Sequence, residues 1–148
     1  MPSYELEESN YAGPIEKDEV FEAEVTRIKE VKEPYQDKQT GADVYKVEFQ
    51  FVIQDEGPHD GSTLYGKTGT KFNTHPDCKL RNWSAAILNS ELPTGYVLDT
   101  DTLIGQRCRV IIGAREYQDK KTGEDKIYNF VDDVMPARDA IPAGDDTF

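Results

Sequence analysis

The sequence lacks the features that mark membrane and secreted proteins. No apolar run approaches the roughly 20 residues that a helix needs to cross a bilayer. The first residues also lack the positive start and the apolar stretch of a signal peptide. We therefore expect a cytoplasmic protein with no membrane partner.

Cysteine and histidine are scarce, with two residues of each. Cys78 and Cys108 lack the short spacing of a CxxC pair. His75 and the nearby Cys78 offer only two of the four ligands that a structural zinc ion takes. The chain also has no Gly-rich phosphate loop and no nucleophile elbow. We expect reduced thiols, no metal, no cofactor and no enzymatic activity.

Cationic residues are the minority, because 17 Lys and Arg stand against 29 Asp and Glu and give a net charge of −12. The excess lies at the ends, where residues 1–24 carry −7 and residues 132–148 carry −4. The middle is left at −1, so a local basic stripe that follows a nucleic-acid backbone is compatible with the total charge. We predict an acidic N-terminal arm at 1–16, a folded domain at 17–136 and a disordered acidic tail at 137–148.

Hydrophobic periodicity predicts five strands and one helix. The segment 20–31 alternates but changes phase at Ile28, which indicates a strand with a β-bulge. Helical spacing appears in 76–89, where Asp77 is placed to cap the start. The other predicted strands are 44–53, 62–72, 107–117 and 126–134. The order β-β-β-α-β-β predicts an all-β protein with one helix, specifically a five-stranded OB-fold barrel.

A nine-residue segment occurs twice, at 35–43 and 117–125, with seven identical positions. Each copy joins two predicted strands, and its Thr-Gly pair supplies the positive φ that a hairpin tip needs. In an OB-fold these are the two loops that clamp an oligonucleotide. One interpretation is that both are only good hairpin sequences. The other is that tyrosines and lysines here stack on bases and attract phosphates; these residues are Tyr35, Lys38, Tyr117, Lys120, Lys121 and Lys126.

Three arginines alternate with apolar residues on the fourth predicted strand and are expected to share one face. They are Arg107, Arg109 and Arg115, and the predicted face also includes Lys46, Tyr65, Lys67, Lys71 and Phe72. This face is either a nucleic-acid interface or a solvated surface whose arginines pair with acids such as Glu48. Trp83, on the apolar side of the helix, is predicted to lie in the core.

Segments 79–83, 103–110 and 129–136, together with the strand order, resemble small phage or prophage OB-fold proteins of the replication and recombination module. The similarity covers residues 17–136 and identifies architecture better than activity. It implies a non-catalytic single-stranded DNA-binding protein that acts in phage DNA replication and recombination. A phage-encoded protein of this kind would lie in the host cytoplasm.

The end of the chain, residues 140–148, is similar to the acidic tip of bacterial single-stranded DNA-binding proteins. Asp145, Asp146 and Phe148 match its paired aspartates and terminal phenylalanine, although an Ile-Pro pair stands before the aspartates here. The resemblance implies that the tail binds replication or recombination proteins. The alternative is an ordinary polar terminus.

A second functional hypothesis follows from the charge of −12. It is an acidic OB-fold protein-interaction module, either a recombination accessory factor or an inhibitor that mimics DNA. The sequence leaves open the choice between DNA and RNA, the site size and the oligomeric state, a homo-oligomer included.

Overall fold

The computed structural model describes Ser3 and residues 14–137, so most of the predicted arm and the tail with Asp145, Asp146 and Phe148 lie outside the described residues. Five strands and one α-helix follow in the predicted order. They are β1 (Val20–Gln36), β2 (Asp43–Ile53), β3 (Thr63–Thr68), α1 (Lys79–Leu88), β4 (Arg107–Gln118) and β5 (Asp125–Pro136). No helix within these described ranges is long and apolar enough to span a membrane.

All the strand pairs are antiparallel and form one sheet in the order β3-β2-β1-β4-β5. Strand β1 is long enough to pair with β2 along most of its length and with β4 near its start. Its register shifts between Val25 and Arg27, which confirms the predicted bulge. The prediction of a predominantly β protein with one helix is confirmed.

The two edges of the sheet approach each other without forming a ladder. Cα atoms of β3 and β5 come within 8 Å, yet both strands are end strands in the hydrogen-bonded order. Trp83 of α1 lies at this seam, because a Cβ atom at Gly66 of β3 would clash with its ring and crowd Val131 of β5. The sheet is therefore strongly curved around the indole but is not closed by hydrogen bonds.

The core lies between one face of the sheet and the apolar side of α1. Trp83 is only 1% exposed, which confirms its predicted place. Its ring contacts Phe49 and Phe51 edge to face, at centroid distances of 5.4 and 6.0 Å. Full burial of a large apolar side chain contributes about 1.5–3 kcal/mol. The alternate side chains of the same strands point away from this core and form the outer surface of the sheet.

Two local predictions were wrong. Helix α1 begins at Lys79 and its N-cap residue is Cys78, which makes no side-chain capping bond, so Asp77 is not the cap. Strand β3 ends at Thr68 instead of residue 72. Residues after it are held in an irregular connection, where the Cys78 Sγ donates to the carbonyl oxygen of Lys71 at 3.2 Å. The carbonyl oxygen of Lys71 is thus bonded by a side chain, as backbone groups often are outside regular strands.

The segment that precedes β1 packs against the sheet. Ile15 is 4% exposed and belongs to the core cluster. Its N–H donates to Asn129 Oδ1 at 2.8 Å, and Asn129 Nδ2 donates to the Ile15 carbonyl oxygen at 2.8 Å. The side chain of Asn129 thus pairs with the backbone of Ile15 much as a neighbouring strand would.

Candidate nucleic-acid interface

The two copies of the repeat adopt the same turn, organised by its aspartate. Asp37 Oδ1 accepts hydrogen bonds from the N–H groups of Gln39 and Thr40 at 2.8 and 3.1 Å. In the second copy, Asp119 Oδ1 accepts from the N–H of Lys121 at 2.8 Å. These bonds favour the charged carboxylate, so the pKa of Asp37 is lowered by its two backbone partners.

Each turn ends at a glycine in the left-handed region, with φ of +70° at Gly41 and +73° at Gly123. Gly41 N–H donates to the Asp37 carbonyl oxygen at 2.8 Å, and Gly123 N–H donates to that of Asp119 at 2.7 Å. Any other residue would be strained at these φ values. The aspartate and glycine of the repeat are therefore explained by the turn, as the hairpin interpretation requires.

The turn does not explain the tyrosines or the loop lysines. Tyr35 and Tyr117 are 54% and 48% exposed, and neither makes a hydrogen bond or ring contact in the part of the chain that the structure describes. Lys38 and Lys120 are exposed and have no acidic partner within the same residues. Lys121 is also exposed. The functional interpretation of the repeat depends on these side chains.

One predicted loop cation already has a partner. Lys126 Nζ lies 2.9 Å from Asp119 Oδ2. This ion pair is the main cause that lowers the pKa of Asp119, followed by the backbone N–H of Lys121. Lys126 thus supports the second turn, and its charge is matched locally.

The outward side chains of β1, β2 and β3 form rows across the sheet. The bulge at Thr26 resets the alternation of β1, so that Arg27 and Lys29 lie on the outer face while Ile28 packs against the core. Directly opposed residues in antiparallel strands lie close enough to interact. The two rows that run from β1 through β2 to β3 are Lys29, Glu48 and Lys67, and next to them Arg27, Gln50 and Tyr65.

These rows and one tyrosine of β5 enclose an open groove of about 250 Å³. Three cations and one acid line it, so its charge is +2 on a chain whose net charge is −12. Tyr65 and Tyr128 are 40% and 51% exposed, which leaves ring surface for stacking. We call this site the outer groove; its lining residues are Arg27, Lys29, Glu48, Gln50, Tyr65, Lys67 and Tyr128.

Tyr128 is positioned by its neighbours on the β4–β5 hairpin. Its ring stacks on Phe130 with centroids 5.8 Å apart and an interplanar angle of 23°. Phe130 lies directly over Gly113, where a Cβ atom would overlap its ring. Arg115 is opposite Tyr128 in the register, and Tyr117 lies two residues farther along β4. The outer face of this hairpin therefore extends the groove toward the second loop.

Two ion pairs lie in and beside the outer groove. Lys67 Nζ is 3.1 Å from Glu33 Oε1, and Lys29 Nζ is 3.9 Å from Glu48 Oε1. The glutamate side chains are only 10% and 20% exposed, whereas the lysines are 44% and 46% exposed. The acids thus lie deeper and the ammonium groups stand nearer to solvent. Such partly exposed pairs contribute at most about 1 kcal/mol each.

The structure does not gather the three arginines of β4 into one patch. Arg109 Nε donates to the Pro136 carbonyl oxygen at 2.9 Å, and Arg107 donates to that of Gln54 at 3.2 Å. Both arginines are opposite glutamates of β1 in the register. Arg115 lies eight residues from Arg107, about 27 Å along an extended strand. Of the three, only Arg115 is next to a residue of the outer groove.

The remaining predicted residues are dispersed. Lys46 is on the outer face of β2, one row beyond those that line the outer groove. Lys71 and Phe72 follow β3 instead of belonging to it. Phe72 is half-buried against the core and lines a different cleft of about 290 Å³ with Arg81 and Tyr96. Phe72 is therefore separate from Tyr65, the other predicted stacking residue.

Five residues of the outer groove were not among the predicted binding residues: Arg27, Lys29, Glu48, Gln50 and Tyr128. The outward direction of Arg27 and Lys29 was predictable from the change of phase in β1, because the extra residue of a bulge reverses the alternation that follows it. Tyr128 alternates with the buried side of β5, so its outward direction was also predictable. Its proximity to β3 was not, since that depends on the curvature of the whole sheet.

The buried thiols do not add a reactive site. Cys78 and Cys108 are both free and buried. Burial raises the pKa of the Cys108 thiol to about 12, with a smaller contribution from the negative charge of Glu22. The thiol is thus protonated at neutral pH, and a protonated thiol is a poor nucleophile. Across residues 14–137, no three His, Cys, Asp or Glu residues are grouped so that they could hold a metal ion.

A scan of the chain against protein-family models finds no matching family, and no curated protein matches it. Function therefore has to be inferred from the residues and their arrangement.

Proposed function

We propose that this protein binds single-stranded DNA through the outer groove and the two repeated loops, without catalysing a reaction, in phage DNA replication and recombination. The observation that carries this proposal is a groove of charge +2 with two exposed tyrosines on a chain of charge −12. Proteins that bind single strands combine a cationic groove, which follows the phosphates, with aromatic rings on which bases stack.

The proposal includes an OB-fold barrel. The OB-fold is a partly open five-stranded barrel that binds oligonucleotides on the face of strands 2 and 3 and at the loops after strands 1 and 4. The sheet order and the close approach of β3 and β5 support this assignment. The outer groove lies on β1, β2 and β3 with Tyr128 of β5 at its side, and the repeated loops are the β1–β2 and β4–β5 connections.

The two kinds of side chain divide the work of binding. Bases stack on Tyr65 and Tyr128, while Lys38, Lys120 and Lys121 attract phosphates at the loops. The proposed role of the tail, with Asp145, Asp146 and Phe148, is to bind a replication or recombination protein. Deletion of residues 139–148 is expected to keep oligonucleotide binding and to abolish capture of that partner. Loss of DNA binding on deletion would instead assign the tail to the DNA site.

The test of the groove is alanine substitution of its tyrosines. Tyr65→Ala and Tyr128→Ala are each expected to weaken binding of a labelled oligonucleotide by about 1–3 kcal/mol per lost stacked base. Tyr45→Ala is the matched control, because Tyr45 is 47% exposed on the alternate face of β2. Thermal unfolding should show that all three variants remain folded. Unchanged affinity in both groove variants would refute the proposal.

The total charge of −12 favours the second candidate, an acidic protein-interaction module. Salt dependence separates the two functions. Binding of single-stranded DNA should weaken with ionic strength, with a slope of about −0.7 in log K per neutralised phosphate. Failure to bind any oligonucleotide at low salt, together with capture of a basic protein, would support the interaction module instead.

A further inference from the structure

An acid occupies the middle of the outer groove, where a site built only for phosphate would have a cation. Glu48 on β2 is flanked in the register by Lys29 on β1 and Lys67 on β3. Its side chain is 20% exposed, so it forms part of the groove floor. A carboxylate at this position repels a phosphate group and attracts a hydrogen-bond donor.

The carboxylate of Glu48 retains acceptor capacity. The Nζ of Lys29 lies 3.9 Å from its Oε1, beyond the roughly 2.7–2.9 Å of a charge-assisted hydrogen bond. Lys67 is hydrogen-bonded to Glu33, at 3.1 and 3.4 Å from its two oxygens. An ionised carboxylate offers about four acceptor positions on its two oxygens. Glu48 can therefore accept a hydrogen bond from a ligand without breaking a short ion pair.

The groups around Glu48 fit a base better than a phosphate. Gln50, the next outward residue of β2, carries both an amide donor and an amide acceptor. Tyr65 and Tyr128 present partly exposed rings at the same groove. The more exposed ammonium groups of Lys29 and Lys67 are nearer to solvent, where a sugar-phosphate backbone would pass.

We propose that the outer groove selects nucleobases with an exocyclic amino group, and that Glu48 accepts a hydrogen bond from that group. The proposal rests on the proposed function and adds a base preference to it. Cytosine presents an amino donor at N4, where thymine presents the O4 carbonyl acceptor. A thymine O4 that faces the Glu48 carboxylate would place two acceptors together, so thymine is disfavoured.

The experiment compares homo-oligomers of deoxycytidine and thymidine of about 12 nucleotides, a length within the site size of one OB-fold. The unmodified protein is expected to bind the cytosine oligomer about fivefold more tightly, the lower end of the range for a base-specific hydrogen-bonded pair. Glu48→Gln should bind both oligomers more tightly, because an anion is removed from the groove. The same change should bring the ratio of the two affinities close to one.

Glu91→Gln is the matched control, since it removes the same charge from an exposed residue outside the outer groove. It should leave the cytosine-to-thymine ratio unchanged. Equal binding of both oligomers by the unmodified protein would overturn this inference and leave the proposed function standing. An unchanged ratio in Glu48→Gln, with both affinities raised, would also overturn it, because Glu48 would then act only as a counter-charge. Failure to bind either oligomer would overturn the proposed function itself.

Discussion

The β1–β2 and β4–β5 hairpins carry nearly the same nine residues, and their turns make the same backbone bonds around Asp37 and Asp119. They differ in what surrounds the turn. Asp119 forms an ion pair with Lys126, whereas the equivalent position of the first hairpin is Val44. The shared residues thus determine the backbone conformation, and the neighbouring residues determine the electrostatics of each loop.

Even identical side chains of the repeat make different contacts. Gln36 Nε2 donates to Asp43 Oδ1 across the first hairpin at 3.2 Å. Gln118 Nε2 donates instead to the Gly123 carbonyl oxygen at 3.1 Å. Sequence identity within a repeat therefore supports a common turn more strongly than a common side-chain role. The tyrosines and lysines have to be tested separately in each loop.

The largest expected effect is on DNA affinity. Tyr35→Ala and Tyr117→Ala should each weaken oligonucleotide binding by about 1–3 kcal/mol if each ring stacks on one base. Equal losses would show that the loops act equivalently, and a loss in only one would assign binding to that hairpin. Both side chains are about half exposed, with values of 54% and 48%, so the melting temperature should stay constant. Full affinity in both variants would favour the hairpin interpretation.

A smaller effect is expected on stability. Gly41→Ala and Gly123→Ala should each lower the free energy of unfolding by about 1 kcal/mol, because alanine is strained in the left-handed region. Gly69→Ala is the control, since Gly69 has no positive φ and open space around its Cβ position. Chemical denaturation should show no destabilisation in this control. Similar stability of all three variants would mean that the turns relax without cost.

The loops should differ in their contribution to salt dependence. Lys38→Ala removes one cation from the first loop, whereas the pair Lys120→Ala and Lys121→Ala removes two from the second. With one phosphate per lysine, the slope of log K against log salt should flatten by about 0.7 and about 1.4, respectively. Titrations of a labelled oligonucleotide at several salt concentrations measure both slopes. Equal flattening would show that only one second-loop lysine contacts phosphate.

The smallest effect is a pH dependence confined to the turns. The pKa values of Asp37 and Asp119 are lowered from 3.8, so the bonds of their carboxylates are fully present above that pH. As the pH falls below about 4 and then through the lowered pKa values, the two carboxylates become protonated and the turns should loosen. Lys126→Ala should raise the pKa of Asp119 toward its ordinary value and leave Asp37 unchanged. NMR titration of the two carboxyl groups measures this, and a shift at Asp37 would contradict it.

Hydrophobic periodicity was sufficient to predict most of the fold. The strand order, the bulge in β1 and the burial of Trp83 all follow from which residues alternate or recur at helical spacing. The start of α1 was missed because the helix begins without a side-chain cap, so Asp77 was a misleading indication. The length of β3 was overestimated because strand propensity does not include the contacts of Cys78.

The candidate site was less predictable than the fold. Alternation shows that Tyr65 and Lys67 point outward, but it does not show which other strands share their surface. The outer groove joins residues from four strands, and this neighbourhood depends on curvature around the core. For the arginines of β4 the prediction grouped too many residues. Side chains that share one face of a long strand are still far apart when they lie at its two ends.

Trp83 also provides an intrinsic fluorescent probe of the seam between β3 and β5. The chain contains one tryptophan and eight tyrosines, so its indole emission arises from a single place, against Gly66 and Val131. The ring is buried, and its Nε1 has no hydrogen-bond partner among the described residues, an environment expected to give blue-shifted fluorescence. If DNA binding separates the two edges, water reaches the indole and the emission moves to longer wavelength. If the edges stay together, a bound base quenches tyrosine emission while the tryptophan spectrum keeps its position.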